Sequence, residues 1–195
     1  MAPIAIEGMI GAGKSTTVEI LKHMTNLRVQ PEPVEAWTPF LDAAYAAYEG
    51  GRGHVALQVR IMLDTCRHPP DTDIVERSPE WQPLTFVPAM VGDGTYSFIR
   101  EDEGNMLKEL HADLMRWKPR GTIFLWCSKE EALRRIVSRN RGAEKLLERS
   151  YLLRLHELYD AALKGFPETE VIDTTGKSPA KVAAEVYARI QLMGT

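Results

Sequence analysis

The chain has 195 residues, 44% hydrophobic and 26% charged, a composition that is typical of a folded domain and excludes a disordered or fibrous protein. Its formal net charge of −3 provides no basic field that would attract nucleic acid. No apolar run is long enough to span a membrane, and we expect no signal or transit peptide because the first predicted strand begins almost at once. Cys66 and Cys127 lie far apart, so we expect a cytoplasmic protein with reduced cysteines.

Strand and helix patterns alternate along the chain, which predicts a parallel sheet flanked by helices. Strands are predicted at 3–7, 27–30, 72–76, 121–127 and 170–173. Helices are predicted at 15–22, 40–48, 54–67, 83–90, 100–117, 150–164 and 178–192, and one more begins near Ser128. The pattern therefore indicates an α/β fold in one domain, 1–195, with a five-stranded parallel sheet.

The loop after the first predicted strand fits the phosphate-binding pattern G-x-x-x-x-G-K-[ST]. Its glycines let backbone N–H groups converge on phosphate oxygens, and the N-terminus of the following helix adds favourable partial charge. Lys14 is predicted to reach the β- and γ-phosphates, and the Ser15 hydroxyl to bind Mg²⁺. An ordinary glycine turn is the alternative, but a chance match of the whole pattern is rare. The residues predicted to bind the nucleotide here are Gly8, Met9, Ile10, Gly11, Ala12, Gly13, Lys14, Ser15 and Thr16.

Charged residues follow two further predicted strands, and ligands bind at the carboxyl ends of strands in an open α/β sheet. Glu32 follows the second strand, while Glu76 and Arg77 follow the third. A single glutamate after a strand is usually a solvated loop residue, but two of them beside a phosphate loop favour a catalytic site. Phosphoryl transfer needs a phosphate cradle, a metal, a base and cations, and these positions can supply them.

An arginine-rich segment follows the helix that begins near Ser128. Arg139 and Arg141 stand beside Gly142, beyond the regular helical pattern. This position favours a lid whose arginines cover the phosphates. The alternative is the solvated face of a helix.

Several motifs occur together in the order found in one enzyme family. They are Ile6-Glu7-Gly8 with Gly13-Lys14-Ser15, Glu32-Pro33-Val34-Glu35-Ala36-Trp37, Leu57-Gln58, Glu76-Arg77-Ser78, the arginine-rich segment and Leu155-His156-Glu157-Leu158-Tyr159. Together they resemble the deoxynucleoside kinases, a family that includes thymidine, deoxycytidine, insect and viral enzymes. The resemblance implies a P-loop kinase fold, a compact member such as a viral one, and a homodimer. It also implies phosphorylation of a deoxyribonucleoside 5′-hydroxyl with ATP and Mg²⁺.

The resemblance implies a role for each charged residue of the site. Glu32 would be the general base, and Arg77 would steady this carboxylate and the 5′-oxygen. Glu76 would hold Mg²⁺ together with Ser15. Asp173 would begin the loop near the adenine. The lid arginines would be Arg135, Arg139 and Arg141.

The resemblance also implies a pocket for the base. Gln58 would pair with the base edge through its amide donor and acceptor, with Leu57 and Phe86 on opposite faces of the base. Thr65 and Gln82 stand where purine- and cytidine-preferring relatives tend to have Arg and Asp. Their presence favours a pyrimidine, thymidine before deoxycytidine. The remaining pocket residues would be Ile10, Trp37, Ile61 and Met90.

The contacts expected for the 3′-hydroxyl depart from the family pattern. Tyr48 matches one contact only if one residue is missing between it and Gln58, so Tyr45 is an alternative. Glu144 matches the second contact but is followed by Lys145, where the family often has paired acidic residues.

Two other functions fit parts of the pattern. A nucleoside monophosphate kinase of the thymidylate type shares the fold and lid, but Glu32-Pro33-Val34 followed by Trp37, and the motif Glu76-Arg77-Ser78, argue against it. A GTP-hydrolysing switch protein would need an Asn-Lys-x-Asp motif and a water-positioning glutamine near the third strand, and we find neither in the sequence.

Overall fold

The computed structural model describes residues 1–46, 52–91, 98–139 and 149–194. Strands β1 to β5 occupy Ile4–Gly8, Val29–Gln30, Ile74–Glu76, Gly121–Trp126 and Glu170–Asp173. Helices α1 to α8 occupy Lys14–Met24, Val34–Ala46, Arg52–Thr65, Phe86–Met90, Glu101–Leu114, Lys129–Arg139, Arg149–Leu163 and Pro179–Leu192. A 3-10 helix at Pro79–Leu84 lies between β3 and α4.

The five strands form one parallel sheet in the order β2-β3-β1-β4-β5. In the central strand β1, Ile4 pairs with Ile74 of β3 on one side and with Gly121 of β4 on the other. Every residue of β1 is buried, as expected when helices cover both faces of a parallel sheet. The predicted five-stranded parallel sheet is confirmed. Because all strands run the same way, their carboxyl ends meet at one edge.

The core is built around this sheet and a cluster of large aromatic side chains. The ring of Trp81 stacks on Phe124 and Tyr159, with centroids 5.1 Å and 5.8 Å away. All three side chains are fully buried, and pairs of this kind contribute about 0.5–1.5 kcal/mol beyond the burial of their area. Among the described residues, no helix combines the length and apolar character needed to cross a bilayer.

Helix α2 begins at Val34, well before the predicted start near residue 40. The helix contains Pro39, whose missing N–H normally weakens a helix interior. Trp37 and Ala44 of α2 pack against Leu57 of α3 in a separate small core. The prediction began the helix too late because this packing between helices compensates for the local cost of proline.

The two cysteines are buried and unpaired, as expected for core thiols. Burial raises the pKa of both Cys66 and Cys127 above the usual thiol value. A protonated thiol in the core behaves as a small apolar side chain.

Candidate active site

The predicted phosphate loop makes a tight turn between β1 and α1. Gly8, Gly11 and Gly13 have φ angles of 145°, 88° and 99°, which side chains with a Cβ disfavour. A Cβ at Gly11 would also lie 2.7 Å from the carbonyl oxygen of Ala132 in α6. The shape of the loop and the close approach of α6 therefore both require glycine. Because α1 begins at Lys14, a phosphate in this loop would meet the N–H groups of a helix N-terminus.

Lys14 is folded back onto the loop that it follows. Its Nζ donates to the carbonyl oxygens of Gly8, at 2.7 Å, and Met9, at 2.9 Å. Burial, reinforced by the nearby Arg77 cation, lowers the pKa of this amine to about 8. The side chain also lines a cavity of about 390 Å³, so its charge lies beside the space in which a triphosphate would sit.

The Glu76 carboxylate connects the phosphate loop to the segment after β2. Its Oε1 accepts a hydrogen bond from the Ser15 hydroxyl at 2.7 Å. Its Oε2 accepts one from the backbone N–H of Glu32 at 3.2 Å. The two predicted metal ligands are therefore direct neighbours. A hydroxyl and a carboxylate fit Mg²⁺, which proteins commonly hold through one or two such oxygens together with phosphates and water.

Glu32 and Arg77 form a short ion pair in which Nε donates to Oε1 at 2.6 Å. Burial alone would lower the pKa of Arg77, but Glu32, Tyr159 and Glu7 raise it well above its ordinary value. The guanidinium therefore stays charged. Among the described residues, no donor reaches Oε2 of Glu32, so this oxygen is available to accept a proton.

A cavity of about 390 Å³ lies along the edge of the sheet, within the usual size range of small-molecule sites. The phosphate loop, the ends of β2 and β3, and side chains of α2, α3 and α4 bound it. The predicted site residues that line it are Ile10, Gly11, Gly13, Lys14, Ser15, Thr16, Glu32, Trp37, Leu57, Gln58, Ile61, Thr65, Glu76, Arg77, Gln82, Phe86, Met90 and Arg139. The predicted residues Gly8, Met9, Ala12, Arg135 and Asp173 are not part of this lining.

The carboxamides of Gln58 and Gln82 are paired inside the cavity wall. Nε2 of Gln82 donates to Oε1 of Gln58 at 2.7 Å and to the Gln58 backbone carbonyl at 3.3 Å. The backbone carbonyl can only accept, so it fixes which atom of the Gln82 amide is the nitrogen. Because Nε2 of Gln82 is a donor, the Gln58 side-chain atom that it contacts must be the acceptor Oε1. The Gln58 amide is therefore held in one orientation.

Two aromatic side chains of the wall are anchored by polar partners. The indole N–H of Trp37 donates to Asp64 at 2.8 Å, and the same carboxylate oxygen accepts from Arg60 at 2.9 Å. The guanidinium carbon of Arg77 lies 4.8 Å from the centre of the Phe86 ring, a cation–π contact. The ring positions are therefore fixed by side chains that the sequence pattern did not connect to them.

Arg135 lies against the outside of the phosphate loop. Its Nη1 contacts the carbonyl oxygens of Gly11 and Ala12 at 3.4 Å each and donates to Thr174 Oγ1 at 3.0 Å. The Thr174 hydroxyl itself donates to the Ala12 carbonyl at 3.1 Å. Asp173, at the end of β5, accepts from the Thr175 N–H at 2.8 Å. Arg135 thus supports the backbone of the phosphate loop, while the Asp173 carboxylate caps the turn that follows β5.

Three predicted residues, Tyr48, Arg141 and Glu144, lie outside the described residues. The side chain of Tyr45, the alternative to Tyr48, is also not described. Arg139 is the last residue of α6 and lines the cavity.

The arrangement of the phosphate loop, Glu32 and Arg77 is consistent with the protein family that the sequence matches. Residues 4–190 match the family model described as deoxynucleoside kinase. The chain belongs to the deoxynucleoside kinase family. This deoxynucleoside kinase is therefore an enzyme of a family that phosphorylates nucleosides.

Relatives of this deoxynucleoside kinase include viral proteins. It is 31% identical over 191 residues to protein 029R of Invertebrate iridescent virus 3, a proposed kinase, covering 96% of this chain and 94% of that protein. It is 27% identical over 180 residues to the thymidine kinase of Ictalurid herpesvirus 1 (strain Auburn), covering 87% and 78%. Deoxyadenosine kinase from M. mycoides, solved with dCMP and a flexible dCDP, superposes with a TM-score of 0.80 at 20% identity over 98% and 99% of the two chains. At this identity, the likeness establishes the fold.

The structure of this kinase also brings to the site two residues, Glu7 and Tyr159, that lie in the family motifs but were given no role there. Glu7 of β1 is buried, with its Oε1 3.3 Å from Nη1 of Arg77. The hydroxyl of Tyr159, in α7, accepts from Nη1 of Arg77 at 2.9 Å. A carboxylate in an otherwise apolar buried strand requires polar partners, and this was the available signal for Glu7.

Proposed function

We propose that this kinase transfers the γ-phosphate of ATP, bound with Mg²⁺, to the 5′-hydroxyl of a deoxyribonucleoside, with pyrimidines preferred. The observation that best supports this proposal is that Glu32 and the phosphate loop line the same cavity. A general base must come within hydrogen-bond reach of the hydroxyl that it deprotonates, while that hydroxyl faces the phosphate. The cavity, about 390 Å³, has room for a nucleoside between them.

In the proposed reaction, Glu32 accepts the proton of the 5′-hydroxyl. Arg77 holds Oε1 of Glu32, so Oε2 is the oxygen that would take the proton. A carboxylate is a weak base, but phosphoryl transfer depends mainly on positioning and on late removal of the proton. Arg77 also lines the cavity and would steady the 5′-oxygen as it attacks.

The phosphates would be held by the glycine loop and by cations around it. Lys14 would leave the carbonyls of Gly8 and Met9 for the β- and γ-phosphates, with Arg139 and Arg141 above them. Ser15 and Glu76 would hold Mg²⁺, which neutralises charge on the transferring phosphate when it is bound. Arg135 would act with the lid arginines, and Asp173 would begin the loop near the adenine.

The preference for a pyrimidine rests on the base pocket. Gln58 offers a donor and an acceptor to a base edge, between the apolar side chains of Leu57 and Phe86. One relative is a thymidine kinase, and another is a proposed deoxycytidine kinase of Fowlpox virus. These two relatives support thymidine and deoxycytidine as the first substrates to test, whereas the M. mycoides enzyme is named for a purine nucleoside.

A homodimer is also part of the proposal. Met106, Leu110 and Leu114 recur at intervals of four residues on α5, which places them on one helix face. Met106 is exposed, while Leu110 and Leu114 are half-buried. Light scattering coupled to size-exclusion chromatography would measure the mass, and Met106→Glu should reduce it from dimer to monomer.

The experiment that tests the function is a substrate panel with ATP and Mg²⁺. Thymidine, deoxycytidine, deoxyuridine, deoxyadenosine, deoxyguanosine and dTMP would each be measured for kcat/KM. We expect turnover of deoxynucleosides, highest with a pyrimidine, and none with dTMP. Phosphorylation of dTMP but not of thymidine would instead favour a monophosphate kinase.

A further inference from the structure

Arg77 is held in an unusual backbone conformation. Its φ is +72°, the only positive value among the non-glycine residues that the structure describes. A single residue in this region costs about 1–2 kcal/mol, so neighbouring contacts must stabilise it. The Arg77 N–H donates to the Ile6 carbonyl at 3.0 Å, and the following N–H, of Ser78, donates to Oε2 of Glu7 at 2.9 Å. β1 thus holds the turn on both sides of Arg77.

The guanidinium of Arg77 uses three of its five N–H donors on protein acceptors. Nε donates to Glu32, and Nη1 contacts Tyr159 at 2.9 Å and Glu7 at 3.3 Å. Among the described residues, none accepts a hydrogen bond from Nη2. Because Arg77 lines the cavity, Nη2 is the guanidinium nitrogen that can donate a hydrogen bond to a substrate oxygen.

Tyr159 is built to hold its hydroxyl in one place. Its ring is fully buried against Trp81 and Phe124, with centroids 5.8 Å away in each case. The hydroxyl donates to Oε1 of Glu7 at 3.3 Å while it accepts from Arg77. Burial raises the pKa of Tyr159 well above its ordinary value, so the phenol stays protonated and keeps both hydrogen bonds.

We propose that Tyr159 and Glu7 are positioning residues that orient Arg77 so that Nε holds the general base and Nη2 faces the attacking 5′-oxygen. The inference rests on the proposed function of Glu32 and Arg77. Glu7 and Tyr159 also line the cavity, but the proposed role acts through Arg77, and neither residue needs to touch the nucleoside for it.

The test is Tyr159→Phe, which removes the hydroxyl and keeps the ring. A lost hydrogen bond to a charged group predicts a fall in kcat of about tenfold or more. The KM values for nucleoside and ATP should change by less than about threefold, because Tyr159 acts in the transition state through Arg77. Tyr187→Phe is the matched control, since Tyr187 packs against the same core from α8 and does not line the cavity.

Repeating the substitution in an Arg77→Lys enzyme distinguishes the positioning of Arg77 from a general effect on the structure. In Arg77→Lys enzyme, adding Tyr159→Phe should lower kcat by less than about twofold, because the partner of the hydroxyl is already gone. An equal fall in both backgrounds, or an unchanged kcat in the single variant, would overturn the proposal. If the melting temperature shows that Tyr159→Phe is poorly folded, Glu7→Gln is the second probe and should give the same coupling to Arg77.

A readout without turnover separates this inference from the proposed function. The Nε–Hε signal of Arg77 in ¹⁵N NMR, assigned by its loss in Arg77→Lys, should be protected from exchange in wild-type enzyme and lost in Tyr159→Phe. A protected signal that persists in Tyr159→Phe overturns the positioning role whether or not nucleosides are phosphorylated. If the enzyme phosphorylates no nucleoside and the signal is still lost in Tyr159→Phe, then Tyr159 positions Arg77, but the proposed function of Glu32 and Arg77 in nucleoside phosphorylation is wrong.

Discussion

Nε of Arg77 lies 2.6 Å from Oε1 of Glu32, although 45 residues separate the two in sequence. The sheet explains this proximity. β2 and β3 are parallel neighbours, so the residues that follow them emerge at the same edge. The ion pair holds one oxygen of Glu32 and leaves the other available, which is the arrangement that a general base requires.

Glu32→Gln should lower kcat about 10²–10⁴-fold, the usual contribution of a general base. The amide retains an acceptor for Arg77 but cannot take the proton. The dissociation constant of ATP, measured by calorimetry, should stay within about twofold. Glu35→Gln is the control, because Glu35 is exposed in the first turn of α2 and does not line the cavity. A variant that retains normal kcat would remove Glu32 from the role of base.

Glu76→Gln should weaken the apparent affinity for Mg²⁺ by about tenfold, because a neutral amide is a poorer ligand for a hard cation. The amide oxygen of the variant can still accept from the Glu32 N–H, and its NH₂ group can donate to the Ser15 hydroxyl oxygen, so the local structure should survive. Activity would be titrated against Mg²⁺ at saturating ATP, and excess Mg²⁺ should restore part of it. Glu80→Gln serves as the control, since Glu80 pairs with Lys118 instead. An unchanged Mg²⁺ titration would contradict the role of Glu76 as a ligand.

ATP–Mg²⁺ binding should take up protons near pH 8. The pKa of Lys14 is lowered to about 8 in the free enzyme, and a neighbouring triphosphate would raise it. The amine is therefore partly neutral at pH 8 before binding and charged afterwards. Calorimetry in two buffers of different ionisation enthalpy measures this uptake, which should fade as the pH drops towards 6.5. Lys14→Arg should bind without it, and equal uptake by this variant would assign the protons to another group.

Gln82→Met should reduce discrimination between deoxycytidine and deoxyuridine. Deoxycytidine has an acceptor at N3 and a donor at C4, whereas deoxyuridine has a donor at N3 and an acceptor at C4. A Gln58 amide held in one orientation can therefore pair with only one of them. We expect wild-type enzyme to separate their kcat/KM values by about tenfold or more, and the variant to bring the two values together. Gln191→Met, on the exposed end of α8, is the control. Equal values for both nucleosides in wild-type enzyme would show that Gln82 does not restrict Gln58.

Thr174→Val should raise the KM for ATP about three- to tenfold and leave the KM for the nucleoside unchanged. The hydroxyl links Ala12 to Arg135, and a loosened loop binds phosphates less well. Thr169→Val, which changes a half-buried threonine outside the cavity, is the control. A larger effect on the nucleoside than on ATP would argue against support of the phosphate loop.

Local sequence patterns predicted the sheet and the charged residues at its carboxyl edge, and the resemblance to the deoxynucleoside kinases named most of the other residues that line the cavity. Apolar strands followed by a phosphate loop or by charged residues are local patterns, and parallel strands bring their carboxyl ends together. Local patterns failed at α2, where the prolines delayed the predicted start. There the packing of Trp37 and Ala44 on α3 determines where the helix begins. Packing between helices cannot be predicted from a short window of sequence.

What the sequence determined by itself was the set of reactive groups: a phosphate loop with Lys14 and Ser15, and carboxylates after the strands. Only the tertiary structure decided how these groups are oriented. Glu7 and Tyr159 are 152 residues apart, yet both contact Arg77, because β1 lies at the centre of the sheet and Tyr159 of α7 packs on Phe124 of the neighbouring strand β4. Hydrogen bonds depend on distances of a few tenths of an ångström, and those distances are set by the packing of the whole chain.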